Sequence, residues 1–157
     1  RVLRVNLDPV HRIFPYVATC GTELDEWSGS IDDMLESYWA DAIMEMALRV
    51  AMHTLSDHLE QRFRPGRMSR MSPGSLEDWP IFEQRKLFAL LGDTEAAIGV
   101  RLTDSMIMVP LKSLSGIWFP TEVDFASCQL CPREICSGRR APYDETLYER
   151  KYSQVAG

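Results

Sequence analysis

The stretch that decides the fold reads Ile98-Gly-Val-Arg-Leu-Thr-Asp-Ser-Met-Ile-Met-Val-Pro110. Its two apolar arms flank the polar Thr103-Asp104-Ser105, which is the pattern of an antiparallel hairpin. A further strand is expected from Leu114 to Phe119. Because helical segments precede these strands, the sequence predicts an α+β fold in which long helices pack on an antiparallel sheet.

Helical periodicity dominates the sequence before the hairpin. From Ser30 to Phe63, apolar residues recur at intervals of three and four, which predicts one long amphipathic helix. Ser30 is expected to cap this helix and Pro65-Gly66 to end it. At about 1.5 Å per residue the helix would be roughly 45 Å long, so we expect a break near its middle. A second helix is expected from Pro80 to Leu91, followed by a short helical turn.

The remaining segments carry weaker signals. Val2–Val5 and Ile13–Thr19 are rich in β-branched or aromatic residues and are predicted to be strands. Residues 67–79 contain Ser, Pro and Gly and are predicted to form an ordered loop. We expect a single domain over residues 1–157, in which residues 120–157 form an irregular Cys-rich tail with a terminal helix over Tyr143–Tyr152.

Composition and charge exclude several classes of protein. The net charge of −6 argues against a nucleic-acid partner, which would require a clustered excess of Lys and Arg. No segment has the length and apolarity of a membrane span, and the N-terminus lacks the apolar stretch of a signal peptide. We therefore expect a cytoplasmic protein without a membrane partner. Because Arg1 is not an initiator Met, the sequence is also consistent with a fragment.

Four motifs carry a resemblance through their order and spacing. They are Arg70-Met-Ser-Pro-Gly74, the helical Glu83-Gln-Arg-Lys-Leu-Phe-Ala-Leu-Leu91, the hairpin Ile98–Pro110 and Lys112-Ser-Leu-Ser-Gly116. In this order they resemble the activation domain of cobalamin-dependent methionine synthase. The likeness covers about residues 30–119, and we interpret the chain as a small stand-alone relative of that domain.

The resemblance implies that S-adenosylmethionine binds near Arg70, Pro73, Gly74 and Ser75. The residue types suit this ligand, because a guanidinium pairs with a carboxylate through two hydrogen bonds and Gly allows close approach of the backbone. This sequence departs from the family at Ser75, where the family usually has Tyr, and at His53, where it has an acidic residue.

Three of the four cysteines lie within nine residues. Cys128, Cys131 and Cys136 have the spacing C-x₂-C-x₄-C, and Cys20 is the remaining cysteine available as a fourth ligand. Thiolates bind zinc and iron–sulfur clusters, so these four cysteines are candidate ligands of zinc or of a [4Fe–4S] cluster. Nearby arginines suit a reactive thiol equally well, and reduced structural cysteines are the remaining reading.

The resemblance also implies a function. We expect the chain to support the reductive activation and remethylation of a cobalamin-dependent methyltransferase of the methionine synthase type. The cobalamin would be carried by a partner, either a corrinoid-binding protein or other methionine synthase modules, and an electron donor would be a further partner. No complete catalytic site is evident, so whether the chain is itself an enzyme stays open. The alternative is an iron–sulfur or zinc-bearing redox or interaction protein that kept the fold without binding S-adenosylmethionine.

Overall fold

The computed structural model describes residues 1–136 and 138–153. Its helices are α1 (Val2–Leu7), α2 (Thr22–Gly29), α3 (Met34–Phe63), α4 (Gln84–Leu91), α5 (Thr94–Ile98) and α6 (Leu147–Lys151). Its strands are β1 (Phe14–Thr19), β2 (Met68–Met71), β3 (Arg101–Leu102), β4 (Met108–Val109) and β5 (Ser113–Pro120). Short 3₁₀ turns cover Ile81–Glu83 and Ser127–Leu130. The predicted α+β class is confirmed.

The chain divides into two compact units. The first unit contains Arg1–Pro15, Pro65–Glu83 and the described residues from Gly116 onward. The second unit contains Tyr16–Arg64 and Gln84–Ser115. Each unit is therefore assembled from segments that are distant in the sequence.

The main sheet has three strands in the order β1-β5-β2. In the first unit β2 and β5 pair antiparallel, from Met68 opposite Pro120 to Met71 opposite Ile117. Burial is almost continuous along β5, as expected for a central strand covered on both faces. The sequence predicts β5 correctly, but the prediction of a loop over residues 67–79 is wrong at β2. β2 has only four residues, and polar and Gly-containing segments flank it, so it is too short to show the alternation of apolar and polar residues that predicts a strand.

The N-terminal segment of the first unit is a helix. The prediction of a strand over Val2–Val5 is wrong, because α1 covers Val2–Leu7. Asn6 on α1 is buried, and its Oδ1 accepts hydrogen bonds from Lys151 Nζ at 2.9 Å and Tyr152 OH at 3.1 Å. Its Nδ2 lies 3.8 Å from Met71 Sδ on β2. Asn6 thus joins three separate segments of this unit.

The residues after Pro120 contribute to the core of the first unit. Phe125 is buried, and its backbone N–H donates to Ser69 Oγ at 3.1 Å. Tyr152 is fully buried, and its ring meets the Phe125 ring edge-on at 6.2 Å between centroids. The segment predicted as an irregular tail therefore packs in this unit. Its terminal helix is shorter than predicted, with α6 limited to Leu147–Lys151.

The second unit contains the long predicted helix. α3 runs without a break from Met34 to Phe63, so the expected break is absent. Ser30 was the wrong cap: it ends α2, whereas the Asp33 side chain accepts the N–H groups of Leu35 and Glu36 at 2.9 and 3.0 Å. The Asp33 carboxylate accepts two hydrogen bonds at the positive end of the helix dipole, and its negative charge stabilises this N-terminus more than a neutral hydroxyl would.

The buried residues of α3 form only one of its two apolar sides. Its buried residues are Ala40, Met44, Leu48, Met52 and Leu59. Among the residues of the predicted apolar pattern, several are exposed, namely Leu35, Trp39, Ile43, Met46 and Val50. α3 is therefore apolar on two sides, so its periodicity predicts the helix without telling which side is buried.

The hairpin and its preceding helices agree with the sequence. β3 and β4 pair antiparallel, with Arg101 opposite Val109 and Leu102 opposite Met108. α4 ends at Leu91, and Asp93 caps α5 through a 2.9 Å bond from Ala96 N to its Oδ1. In the part of the chain that the structure describes, no helix has both the length and the apolarity needed to cross a membrane.

Candidate ligand site

Arg70 lies on the strand β2, next to the central strand β5. Arg70 stands opposite Trp118 of β5, and its other edge forms a parallel bridge with Ala126. Along β2, Ser69 and Met71 are buried while Arg70 is half-buried. The alternation of a strand therefore turns the Arg70 side chain toward the less covered face.

A compact turn follows β2 directly. Gly74 N–H donates to Trp79 O at 2.7 Å, which closes the loop. Ser75 donates to Ser72 O both from its backbone N–H at 3.1 Å and from its hydroxyl at 2.6 Å. Gly74 has a φ of +78°, in the left-handed region that favours glycine. The turn therefore has a defined shape that requires a residue without a Cβ at its exposed tip.

The four residues predicted to bind the ligand lie within this short segment. Arg70 is on β2, Pro73 is buried beneath the turn, and Gly74 is exposed at its tip. Ser75 is half-buried, and its hydroxyl is committed to Ser72 O. The arrangement can offer a guanidinium for a carboxylate and open backbone for a flat ligand group.

One neighbour of this turn is not evident in the sequence. Ser127 Oγ is buried and lies 3.4 Å from Ser75 Oγ, although the two residues are far apart in the chain. No motif marks Ser127, and it is brought there by the pairing of Ala126 with Arg70 and by the hydrogen bond of Phe125 to Ser69. In the sequence, the position of Ser127 next to Cys128 is the one feature that connects it with a candidate functional residue.

Comparison with known proteins identifies the fold. Residues 56–126 match the sequence profile of the family described as vitamin B12 dependent methionine synthase, activation domain. Among solved structures, the chain is similar to the crystal structure of the MetH reactivation domain bound to AdoHcy. The TM-score is 0.62 at 20% identity, over 73% of this chain and 42% of that chain. The fold is that of the activation domain. The predicted resemblance is thereby confirmed.

The extent of the likeness is also informative. The chain spans 42% of the length of the reactivation domain that it resembles. No curated protein matches it. The activation-domain profile includes the turn at residues 70–75 and ends at residue 126, immediately before the cysteine segment. The candidate ligand site thus lies inside the matched region, whereas Cys128, Cys131 and Cys136 lie outside it.

The predicted cysteine ligands fall in both units. Cys128 and Cys131 are half-buried at the 3₁₀ turn Ser127–Leu130, and Cys136 is exposed beyond it. Cys20 belongs to the second unit, at the end of β1. Over residues 1–136 and 138–153, no three His, Cys, Asp or Glu side chains are grouped to hold a metal ion. The side chains as placed do not fit a metal centre, and the metal assignment of the four cysteines stays a prediction.

The cysteine segment is organised around an arginine. The Arg139 guanidinium donates to the carbonyl oxygens of Cys128 at 3.3 Å, Cys131 at 3.5 Å and Ala141 at 3.4 Å, and it also contacts Arg133 O. A planar guanidinium has five N–H donors in a fixed fork, so one side chain can hold several carbonyls together. The carbonyl groups of Cys128, Cys131 and Ala141 are thus directed toward Arg139.

The thiols of Cys128 and Cys20 differ in acidity. Burial raises the pKa of Cys128, but the backbone N–H and the charge of Arg140 together outweigh it and leave that pKa below its ordinary value. Arg140 N lies 3.4 Å from Cys128 Sγ. Burial, followed by the charge of Asp25, raises the pKa of Cys20. Cys128 therefore has more thiolate character than Cys20 at a given pH.

Proposed function

We propose that the chain binds S-adenosylmethionine at Arg70–Ser75 and supports the reductive remethylation of a corrinoid methyltransferase of the methionine synthase type. The main observation that supports this proposal is the position of Arg70 and Gly74. Both residues lie on one short strand and turn inside the region that matches the activation-domain family. The related reactivation domain has been crystallised with AdoHcy.

The chemistry of the turn supports this ligand. The methionine part of S-adenosylmethionine carries a carboxylate, and Arg70 can receive it through two parallel charge-assisted hydrogen bonds. Gly74 is exposed at the tip of the turn, so a ligand can approach its backbone, although its N–H is already donated to Trp79 O. Bound there, S-adenosylmethionine would supply the methyl group for the cobalamin of the partner. This chain's residues would bind and orient it.

Calorimetric titration with S-adenosylmethionine and S-adenosylhomocysteine tests the binding site. Arg70→Ala should weaken binding about 10- to 100-fold, since a hydrogen bond to a charged group contributes about 1.5–3 kcal/mol. Arg70→Lys should recover only part of this, because an ammonium cannot form the two-pronged pair. Arg67→Ala is the matched control: Arg67 is exposed, precedes the same strand and pairs with Asp124 at 3.5 Å. If Arg70→Ala and the parent chain bind S-adenosylmethionine equally well, the assignment of the binding site to Arg70–Ser75 is wrong.

A separate assay tests the activating role. The chain would be added to a cobalamin-loaded methionine synthase lacking its own activation domain, with a chemical reductant and S-adenosylmethionine, while the absorbance of the corrinoid is followed. Faster recovery of methylcobalamin, lost in Arg70→Ala but kept in Arg67→Ala, is the expected result. Binding of S-adenosylmethionine without any such stimulation would contradict the activating role and leave only the binding.

The alternative of an iron–sulfur or zinc-bearing redox protein is motivated by the three clustered cysteines. Their segment adjoins the candidate ligand turn through Ser75 and Ser127. Purification without oxygen, followed by analysis for iron, sulfide and zinc, decides this alternative. A chain without iron, sulfide or zinc would eliminate it.

A further inference from the structure

The outer face of α3 carries a large apolar surface. We call the residues Leu35, Trp39, Ile43, Met46 and Val50 the outer stripe. Their exposed fractions range from 40% for Ile43 to 65% for Val50. At 100° per residue they fall within an arc of about 80°, nearly opposite the buried face of the helix. Contiguous apolar surface of this kind is uncommon on monomers and marks an interaction site.

The outer stripe matches itself under a two-fold rotation. With the axis between Ala42 and Ile43, Leu35 lies opposite the second copy's Val50 and Trp39 lies opposite the second copy's Met46. At the axis, Ala42 receives the second copy's Ile43, so a small side chain meets a large one. A closed two-fold dimer requires just this property, because the same patch must be complementary to itself.

Charge favours the antiparallel direction. The end of the stripe near Leu35 carries Asp32, Asp33 and Glu36, whereas at the other end Arg49 pairs with Glu45 on the same helix. Parallel pairing would place two sets of three carboxylates together. Antiparallel pairing places each acidic end beside a nearly neutral one, which avoids repulsion between like charges.

The available area suits a weak dimer. The stripe is about 22 Å long, and with the neighbouring exposed Tyr38 it offers on the order of 600 Å² per copy. A standard interface buries about 800 Å² per partner. Trp39 against the second copy's Met46 adds a sulfur–aromatic contact.

We infer that two copies of this chain associate through the outer stripe of α3, packed antiparallel about an axis between Ala42 and Ile43. The occupant of the stripe is a second copy because the spacing of the stripe matches itself and its charges select one direction. The helix pair thereby covers the five apolar side chains of the outer stripe.

Sedimentation velocity from about 1 to about 200 µM tests the association, with a dissociation constant expected in the micromolar range. Ile43→Asp places two carboxylates at the axis and should weaken the dimer at least a hundredfold. Leu90→Asp is the matched control, since Leu90 is 70% exposed on another helix of the same unit. Circular dichroism confirms that both variants fold. A monomer at the highest concentration, or a dimer unaffected by Ile43→Asp, would overturn the inference.

A cross-linking experiment tests the direction. Leu35→Cys and Val50→Cys chains are mixed and oxidised, and the linked peptides are identified by mass spectrometry so that the native cysteines do not interfere. Antiparallel packing predicts a link between positions 35 and 50. Links of position 35 to position 35 and of position 50 to position 50, without the mixed link, would show parallel packing and refute the proposed arrangement.

Discussion

The turn at Gly74 permits a quantitative prediction. A Cβ added at Gly74 would lie 2.9 Å from Ile81 Cδ1 and 3.3 Å from Ile81 Cβ. Gly66 has a similar φ, +72° against +78°, but a Cβ there would meet nothing within 4 Å. The two glycines therefore share the backbone cost of a left-handed residue and differ in steric crowding.

The expected magnitudes follow from these contacts. Gly66→Ala should lower the free energy of unfolding by about 1–2 kcal/mol, which is the cost of left-handed backbone for a residue with a Cβ. Gly74→Ala should lower it by about 2–3 kcal/mol, because crowding against Ile81 adds roughly 1 kcal/mol. Combining Gly74→Ala with Ile81→Ala should remove the closest contact, that with Ile81 Cδ1, so the two substitutions together should cost less than the sum of their separate effects.

Urea denaturation, followed by circular dichroism and tryptophan fluorescence, measures all four variants. The reasoning is refuted if Gly74→Ala destabilises no more than Gly66→Ala, or if the Ile81 substitution leaves the cost of Gly74→Ala unchanged. The same variants can be titrated with S-adenosylmethionine. Gly74→Ala should weaken binding while Gly66→Ala leaves it unaltered.

Three further predictions concern the first unit. Asn6→Ala should lower the free energy of unfolding by about 2–4 kcal/mol, because it removes the acceptor of the buried Tyr152 hydroxyl. Tyr152→Phe removes the hydroxyl itself and should lower the free energy of unfolding by only about 1 kcal/mol. Urea denaturation measures both variants. Arg139→Lys should speed amide hydrogen exchange over residues 128–136, since one ammonium cannot hold several carbonyls, and unchanged exchange would count against the organising role of this side chain. The side-chain hydrogen bond from Thr146, with smaller contributions that include the charge of Arg150, lowers the pKa of Asp144. The stability that Asp144 adds over Asp144→Asn should therefore be present at neutral pH and disappear as the pH falls below about 4, in thermal melts at a series of pH values.

Local signals in the sequence account for much of the fold. Three elements form from residues that are close in the sequence: the hairpin β3–β4, the helix α4 and the capped helix α5. Their sequence patterns therefore predict them without information from the rest of the chain. α1 shows the limit of this reasoning, since a short apolar run suits a helix as well as a strand. β2 exists because β5 pairs with it, and its four residues carry no such information.

The candidate site was predictable only in part. Arg70 and Gly74 were found because their order relative to the later motifs resembles a known family. The contact of Ser127 with Ser75 and the hydrogen bonds of Arg139 to carbonyl oxygens were not predictable, because they depend on the folded chain. The buried face of α3 was not predictable for a related reason: its sequence contains two apolar sides, and periodicity does not tell which one is covered.

The contact between Ser75 and Ser127 has a thermodynamic consequence. The turn that would hold a ligand and the segment that carries Cys128 share this contact and the bridge from Arg70 to Ala126. Linkage between two such sites is reciprocal. If modification of the Cys128 thiol changes the affinity of the turn for a ligand by some factor, that ligand must change the equilibrium of the thiol modification by the same factor.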